Sequence, residues 1–470
     1  MIQPSSMALH DHGWDGVQTK YLRFFRINLH SSASDQRQTV IVPDSVQVPR
    51  PRDYDGIVET SVVFVHLGEP ANEVELNDYF ADSLHTYYRY VPKAACRWAT
   101  GTWSRSLDKS YVVKLLSQHR AALHTRLADR VRLSLQQVLP EFAPFSCLFG
   151  YRFLTPKIKT VVSRVQSQAP SRVIFVPFYA NHWCFQSNEC FNEVAGSISS
   201  SSLALTTNPP SSRHPYVGGS QDTRRDYISS RSIDYSLIDR LSTQPFVSDL
   251  WAQRIASTIA GRLTPDSHAY AGVVFATPFV IGRNAAQYRS DVIATCSRTI
   301  AALGDSHPWK LAVYNSHDQP FIGLPIGRFS ILRQIRSLTS QGVRNIVLVP
   351  LPHLLPNHAD ALALMPSERQ LNLLGVEQIA IAGYADATGL MSDTANEAPF
   401  LATLVHGLTE TVKNHLLDGC PEPSGQFRLR CACCRRTECA KTRQLFHTDV
   451  AQARCRPDEE KIPPSETVQF

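Results

Sequence analysis

The chain is poor in the signals that place a protein quickly. No apolar run reaches the roughly 18 residues that span a bilayer, and the basic residues form no long block. A formal charge of +6 over 470 residues is small. A membrane-spanning protein and a nucleic-acid binder are therefore not the first expectations. No apolar strand leads into a G-x-G-x-x-G turn, and there is no Walker A sequence. A dinucleotide or nucleoside triphosphate site thus has no support. The N-terminus lacks a charged start, apolar middle and small-residue cleavage site, so a reducing compartment is expected. A mitochondrial presequence should be poor in acids, yet residues 1–56 carry six Asp beside six Lys and Arg. Only "KYLRFFRINLH", residues 20–30, has a basic amphipathic character, which an ordered arm packed on the body would share.

What is present is the composition of a globular protein, 43% hydrophobic and 19% charged, and long enough for two or three domains. From about residue 57 short apolar runs alternate with amphipathic stretches. "SVVFVHLG" (61–68), "SCLFGYRF" (146–153) and "SRVIFVPFYA" (171–180) read as buried strands, with a helix around 111–136 between the first two. The same grammar restarts after residue 265. Strands are expected at 269–279, 310–316, 344–352 and 377–385, and helices at 285–303, 327–340, 362–374 and 398–417. Near-continuous apolar strands joined by helices imply parallel sheets covered on both faces. The expected fold class is α/β with two doubly wound domains. The expected organisation is an irregular extension (1–56), a first domain (57–194), a Ser/Pro-rich insertion (195–232), a second domain (233–419), a cysteine-rich tail (420–446) and a flexible C-terminus (447–470).

Five of the eleven cysteines fall within residues 420–439. Cys431, Cys434 and Cys439 make C-x2-C-x4-C. Thiolates two residues apart can wrap one metal centre because the chain turns back over that distance. A four-thiolate site needs one more sulfur. Cys433 adjoins Cys434 and neighbouring side chains diverge, so a distant residue, Cys184 or Cys190, is more comfortable. Spacing alone does not separate zinc from iron, and free or reactive cysteines remain a third reading.

This tail resembles the iron–sulfur tail of ferrochelatases, the enzymes that insert ferrous iron into protoporphyrin to make protohaem. The resemblance runs over about residues 57–446. "VVFVHLGEPANEVELNDYF" is similar to the family's opening strand and glycine–proline turn, "GYRF" to its G-x-R-aromatic strand, and "SLIDRL" (236–241) to its I-D-R segment. "PFIGLP" (320–325) sits where the family has a proline–tryptophan turn. The resemblance implies two Rossmann-like domains with a porphyrin cleft between them, lined by Leu67, Arg152 and Phe321. It implies a [2Fe–2S] cluster on Cys184, Cys431, Cys434 and Cys439, ferrous iron as substrate and protoporphyrin as partner. It further implies a mitochondrial placement on the matrix side of the inner membrane, and a homodimer. "DYFADSLHTYYRYVPKAACRW" (78–98) matches a lip that touches the membrane peripherally, although an amphipathic helix covering the first sheet would read the same way.

The resemblance breaks where the chemistry should be. The family's histidine at the end of the second domain's first strand falls at Pro278, which neither accepts a proton nor binds a metal. The facing acidic segment matches "PNHADAL", giving His358 and Asp360 as the candidate catalytic pair, and the next acid falls at Leu364. Either another group (His66, His317, His353 or His358) has taken over the histidine's role, or the chain binds tetrapyrrole or senses iron without metallating.

Overall fold

The computed structural model describes residues 59–70, 72–87, 91–106, 120–183, 186–200, 233–238, 240–263, 271–278, 285–314, 326–355, 364, 366–383 and 398–417. The first half begins with β1 (Thr60–His66), α1 (Glu73–Tyr87), α2 (Lys93–Ser106) and α3 (Arg120–Val138). It continues with β2 (Phe145–Tyr151), α4 (Ile158–Gln168), β3 (Arg172–Pro177), α5 (Ser187–Ser200) and β4 (Asp234–Leu237). α6 (Pro245–Arg262) leads into β5 (Ala271–Pro278), α7 (Ala285–Ala302), β6 (Trp309–Tyr314) and α8 (Ile326–Thr339). β7 (Asn345–Pro350), α9 (Glu368–Leu374), β8 (Gln378–Ile381) and α10 (Ala398–Leu417) complete it.

The strands form two four-stranded sheets of the same order, β2-β1-β3-β4 and β6-β5-β7-β8. Every pairing is parallel. β1 and β5 are buried along their whole length, because helices cover both faces of a parallel sheet. Full burial of side chains such as Val63, Phe64 and Phe275 contributes about 1.5–3 kcal/mol each, before the cost of ordering them. Both sheets lie in one compact unit, Arg52–Phe470. Side chains from β1, β3, β5, β7, α6 and α10 share one apolar core, and a second core fills the far side of β5–β7 under α8.

The seven expected strands are present, each ending earlier than its pattern suggests, while β1, β2 and β6 begin one residue sooner. β4 is an addition: four half-polar residues carry no apolar run to signal a strand. Helix α10 matches its expected span, whereas α9 starts six residues late. Its N-terminus is set by a capping box, Ser367 with Gln370, and its end by Gly375 in the left-handed region. α5 runs to Ser200, past residue 195 where the insertion is expected to begin. The aromatic stretch divides: Tyr79 and Phe80 of α1 are buried against the first sheet, and Trp98 of α2 is 64% exposed. Among the described residues, no helix is long and apolar enough to cross a membrane.

Candidate functional site

In a parallel sheet the loops after the strands gather at one edge, and two such edges meet here. His66 ends β1, Tyr179 follows β3, and His353 follows β7 in the second sheet. Tyr179 and His353 form an antiparallel bridge, and the Ala180 N–H donates to the Pro352 carbonyl at 3.2 Å. The sheets are thus joined by main chain at the point where the two histidines approach.

The turn after β1 is fixed by its neighbours on either side. Arg152 N–H donates to the His66 carbonyl, Phe153 N–H to the Leu67 carbonyl and Phe178 N–H to the Val65 carbonyl, all at 2.8–2.9 Å. Leu67 N–H donates to the Tyr179 hydroxyl at 2.9 Å. Gly68 N–H donates to Nδ1 of His66 at 3.1 Å. Gly68 has φ +113°, and a Cβ there would lie 2.9 Å from Leu154 Cγ. The position therefore needs glycine, and it turns the chain so that Glu69 follows beside the histidine.

His66 is 2% exposed and stacks on Tyr179 with centroids 4.6 Å apart. The ring of His353, also 2% exposed, stands edge-on to it at 5.9 Å. His66, half-buried Glu69 and His353 each offer one ligand atom, and these three atoms lie within 4.8 Å of one another. Bonds of about 2.0–2.2 Å to a divalent metal separate its donors by no more than about 4.4 Å, so small side-chain rotations close the set. Two imidazoles and a carboxylate suit Fe2+, Co2+, Ni2+ or Zn2+, and three protein ligands leave positions for a substrate. Metal binding competes with the Gly68 hydrogen bond. A neutral imidazole carries one proton, so His66 cannot accept at Nδ1 and ligate at Nε2 together.

Behind His66 lies a further histidine, His124 of α3. It stacks on Phe149 at 4.5 Å and bonds through Nδ1 to the Tyr151 hydroxyl at 2.6 Å. Burial pushes the Tyr151 phenol up, so it keeps its proton beside the imidazole.

Leu67 places its side chain in the core, 1% exposed. Arg152 is ion-paired with Glu193 of α5 at 3.2 Å. Burial pulls nearby Lys157 down, against the opposing pull of Asp82. Pro278 is the buried last residue of β5. Thr277, the residue before it, is bonded to the Tyr288 hydroxyl at 2.7 Å. Cys190 is fully buried in the core. Cys184, Cys431, Cys434, Cys439, His317, Phe321, His358 and Asp360 lie outside the described residues. Sequence reasoning singles out His66 and His353 separately, but not Glu69, Tyr179 or His124. The signal available for Glu69 is its place in the turn after a histidine-ended strand.

No family model matches the chain. The mitochondrial ferrochelatase of Drosophila melanogaster is 24% identical over 401 residues, covering 83% of this chain and 91% of that protein. SirB from Bacillus subtilis, solved with Fe3+, matches 78% of this chain and 98% of its own at 10% identity and a TM-score of 0.39. A multi-domain Deinococcus radiodurans protein with structural similarity to chelatases matches 75% of this chain at 15% identity and a TM-score of 0.34. This chain spans 54% of that protein's length. The sequence similarity supports a distant relationship to the chelatases.

Proposed function

We propose that this protein is a chelatase-type enzyme that holds a divalent metal on His66, Glu69 and His353 and inserts it into a tetrapyrrole. Ferrous iron and protoporphyrin IX are the proposed substrates, with protohaem as product. The observation that carries the reading is the meeting of two imidazoles and a carboxylate from facing sheets. Metallation removes two pyrrole protons as the dication enters. Bases beside the incoming metal are therefore what the reaction requires. In the ferrochelatase resemblance the base stands at the position of Pro278. Here the corresponding chemistry sits on the first strand of the other sheet, at His66. Leu67, Arg152 and Phe321 are proposed to border the porphyrin, with His358 and Asp360 on the facing segment.

Cys184, Cys431, Cys434 and Cys439 fit a [2Fe–2S] cluster in number and ligand type. Trp183 and Gln186, the nearest described residues on either side of Cys184, are each 1% exposed. A bound cluster would tie the tail to the first domain and supply one-electron redox sensitivity. The similarity to a mitochondrial ferrochelatase supports placement in that organelle; peripheral membrane contact and homodimer formation are proposed from the resemblance of the sequence motifs alone. Pro278 favours a second reading, in which the protein binds tetrapyrrole or responds to iron without metallating.

Anaerobic ferrous insertion into protoporphyrin IX by the purified protein tests the proposal, alongside His66→Ala, His353→Ala and Pro278→His. Activity above the spontaneous rate that falls at least tenfold in both histidine variants supports it. Porphyrin binding without insertion, with activity gained in Pro278→His, supports the second reading instead.

A further inference from the structure

We propose that Arg254 is the positioning residue for the His353 donor; the inference rests on the metal site proposed above. Arg254 belongs to α6, runs beneath the second sheet and is only 3% exposed. Three neighbours fix it. Its guanidinium lies over the Trp251 ring, 4.8 Å from the centroid. Its stem occupies the space beside Gly383, where a Cβ would come within 3.1 Å of Arg254 Cδ. One terminal nitrogen donates to the Leu354 carbonyl at 2.7 Å.

Leu354 follows His353, and the main-chain pairing of this loop among the described residues lies at the histidine, through its bridge with Tyr179, and before it. β7 ends at Pro350, Leu351 N–H reaches the Ala276 carbonyl, and the Pro352 carbonyl receives Ala180 N–H. Pro352 has no N–H of its own to donate. Among the described residues, the Leu354 carbonyl held by Arg254 is the polar anchor on the far side of His353, beside the burial of Leu354 and Leu355 in the core. With both sides fixed, the imidazole stays opposite His66 and Glu69. Without the hydrogen bond from Arg254, the stretch after the Tyr179–His353 bridge keeps only its apolar packing, which does not fix the direction of the imidazole. Arginine suits the task because a planar guanidinium stacks on Trp251 and donates in its own plane, which an ammonium does not.

The test is an anaerobic Co2+ titration of the full-length protein, with Cys431, Cys434 and Cys439 replaced by serine so that the tail does not compete, followed by visible absorption in that background alone and with Arg254→Met, Arg254→Lys, His353→Ala and Arg254→Met/His353→Ala. Arg254→Met is expected to weaken Co2+ binding by about 10–100-fold and to give the band pattern of His353→Ala. The double variant is expected to bind no more weakly than His353→Ala alone, because both changes remove the same ligand. A general structural role for Arg254 would not produce that shared endpoint. Arg254→Lys, which keeps charge and bulk, is expected to fall between that background and Arg254→Met, and it decides the matter if Arg254→Met does not fold. Undiminished affinity in a folded Arg254 variant, or independent losses that add, overturns the proposal alone. Failure of the background protein to bind Co2+ overturns the metal site and this proposal together.

Discussion

Replacing Gly407 by alanine sets two physical effects against each other, and their sizes decide the outcome. Gly407 is buried within α10, and glycine in a helix interior is about 0.8–1 kcal/mol less favourable than alanine. Propensity alone therefore says that Gly407→Ala stabilises. The packing says otherwise. A Cβ at this position would lie 2.0 Å from Cγ and 2.4 Å from Cβ of Phe246, the second residue of α6. A change of rotamer can move Cγ but not Cβ, whose place the backbone fixes, so α6 and α10 must separate by more than about 1 Å to restore ordinary packing distances. Overpacking of this kind costs about 3 kcal/mol or more, leaving a net loss of at least about 2 kcal/mol after the propensity gain. Urea unfolding should show a lower midpoint at unchanged slope. The pair Gly407→Ala/Phe246→Gly should lose less than the sum of its single changes, because the second removes the obstruction. Because α6 also carries Arg254, metal binding should weaken in Gly407→Ala as well. A stabilisation near 1 kcal/mol would refute the reasoning, since it would mean the helices yield at no cost.

Three further outcomes are expected. Gly68→Ala forces a non-glycine residue to φ +113° against Leu154, so a loss of about 2–4 kcal/mol should appear in denaturant unfolding, with weakened metal binding at the adjacent His66. His415 of α10, bonded to Ser236 and mostly buried, is pulled down to about 4, so its native state resists a proton that the unfolded chain accepts. Stability should therefore be complete above pH ~6.5 and fall by on the order of 2 kcal/mol as pH drops toward 4, and His415→Phe should remove that slope from a pH series of melting curves. Arg240 and Asp291, ion-paired at 3.2 Å with side chains 14% and 13% exposed, should show coupling. Arg240→Met alone should cost up to about 3 kcal/mol, and adding Asp291→Leu should restore part of it.

The parallel α/β architecture is legible because buried parallel strands advertise themselves. "VVFV", "VIFV" and "IVLV" are apolar on both faces and too short to be helices among their flanking glycines and prolines. β4 is not legible, because an edge strand of four residues has only one buried position. α9 begins later than its pattern suggests because apolar periodicity continues upstream of the capping Ser367 that starts it. The histidines at strand ends stand out, since the C-terminal edge of a parallel sheet is where such folds place their chemistry. Their partnership does not. His66 and Tyr179 become neighbours only because β1 pairs with β3, and His353 joins them only because the edges of two separate sheets meet. No local pattern encodes that approach. The cysteine tail carries the strongest spacing signal, yet it lies outside the described residues, so its cluster remains a proposal.

The most direct measurement is the zinc K-edge absorption spectrum of the protein loaded with one equivalent of Zn2+, with Cys431, Cys434 and Cys439 replaced by serine so that the tail does not compete. The expected result is a shell of nitrogen and oxygen at about 2.0–2.1 Å with the outer-shell scattering of two imidazoles, one of which disappears in His66→Ala and one in His353→Ala. A shell that keeps both imidazoles in those variants, or a protein that retains no zinc, would contradict the assignment of His66, Glu69 and His353 as the metal site.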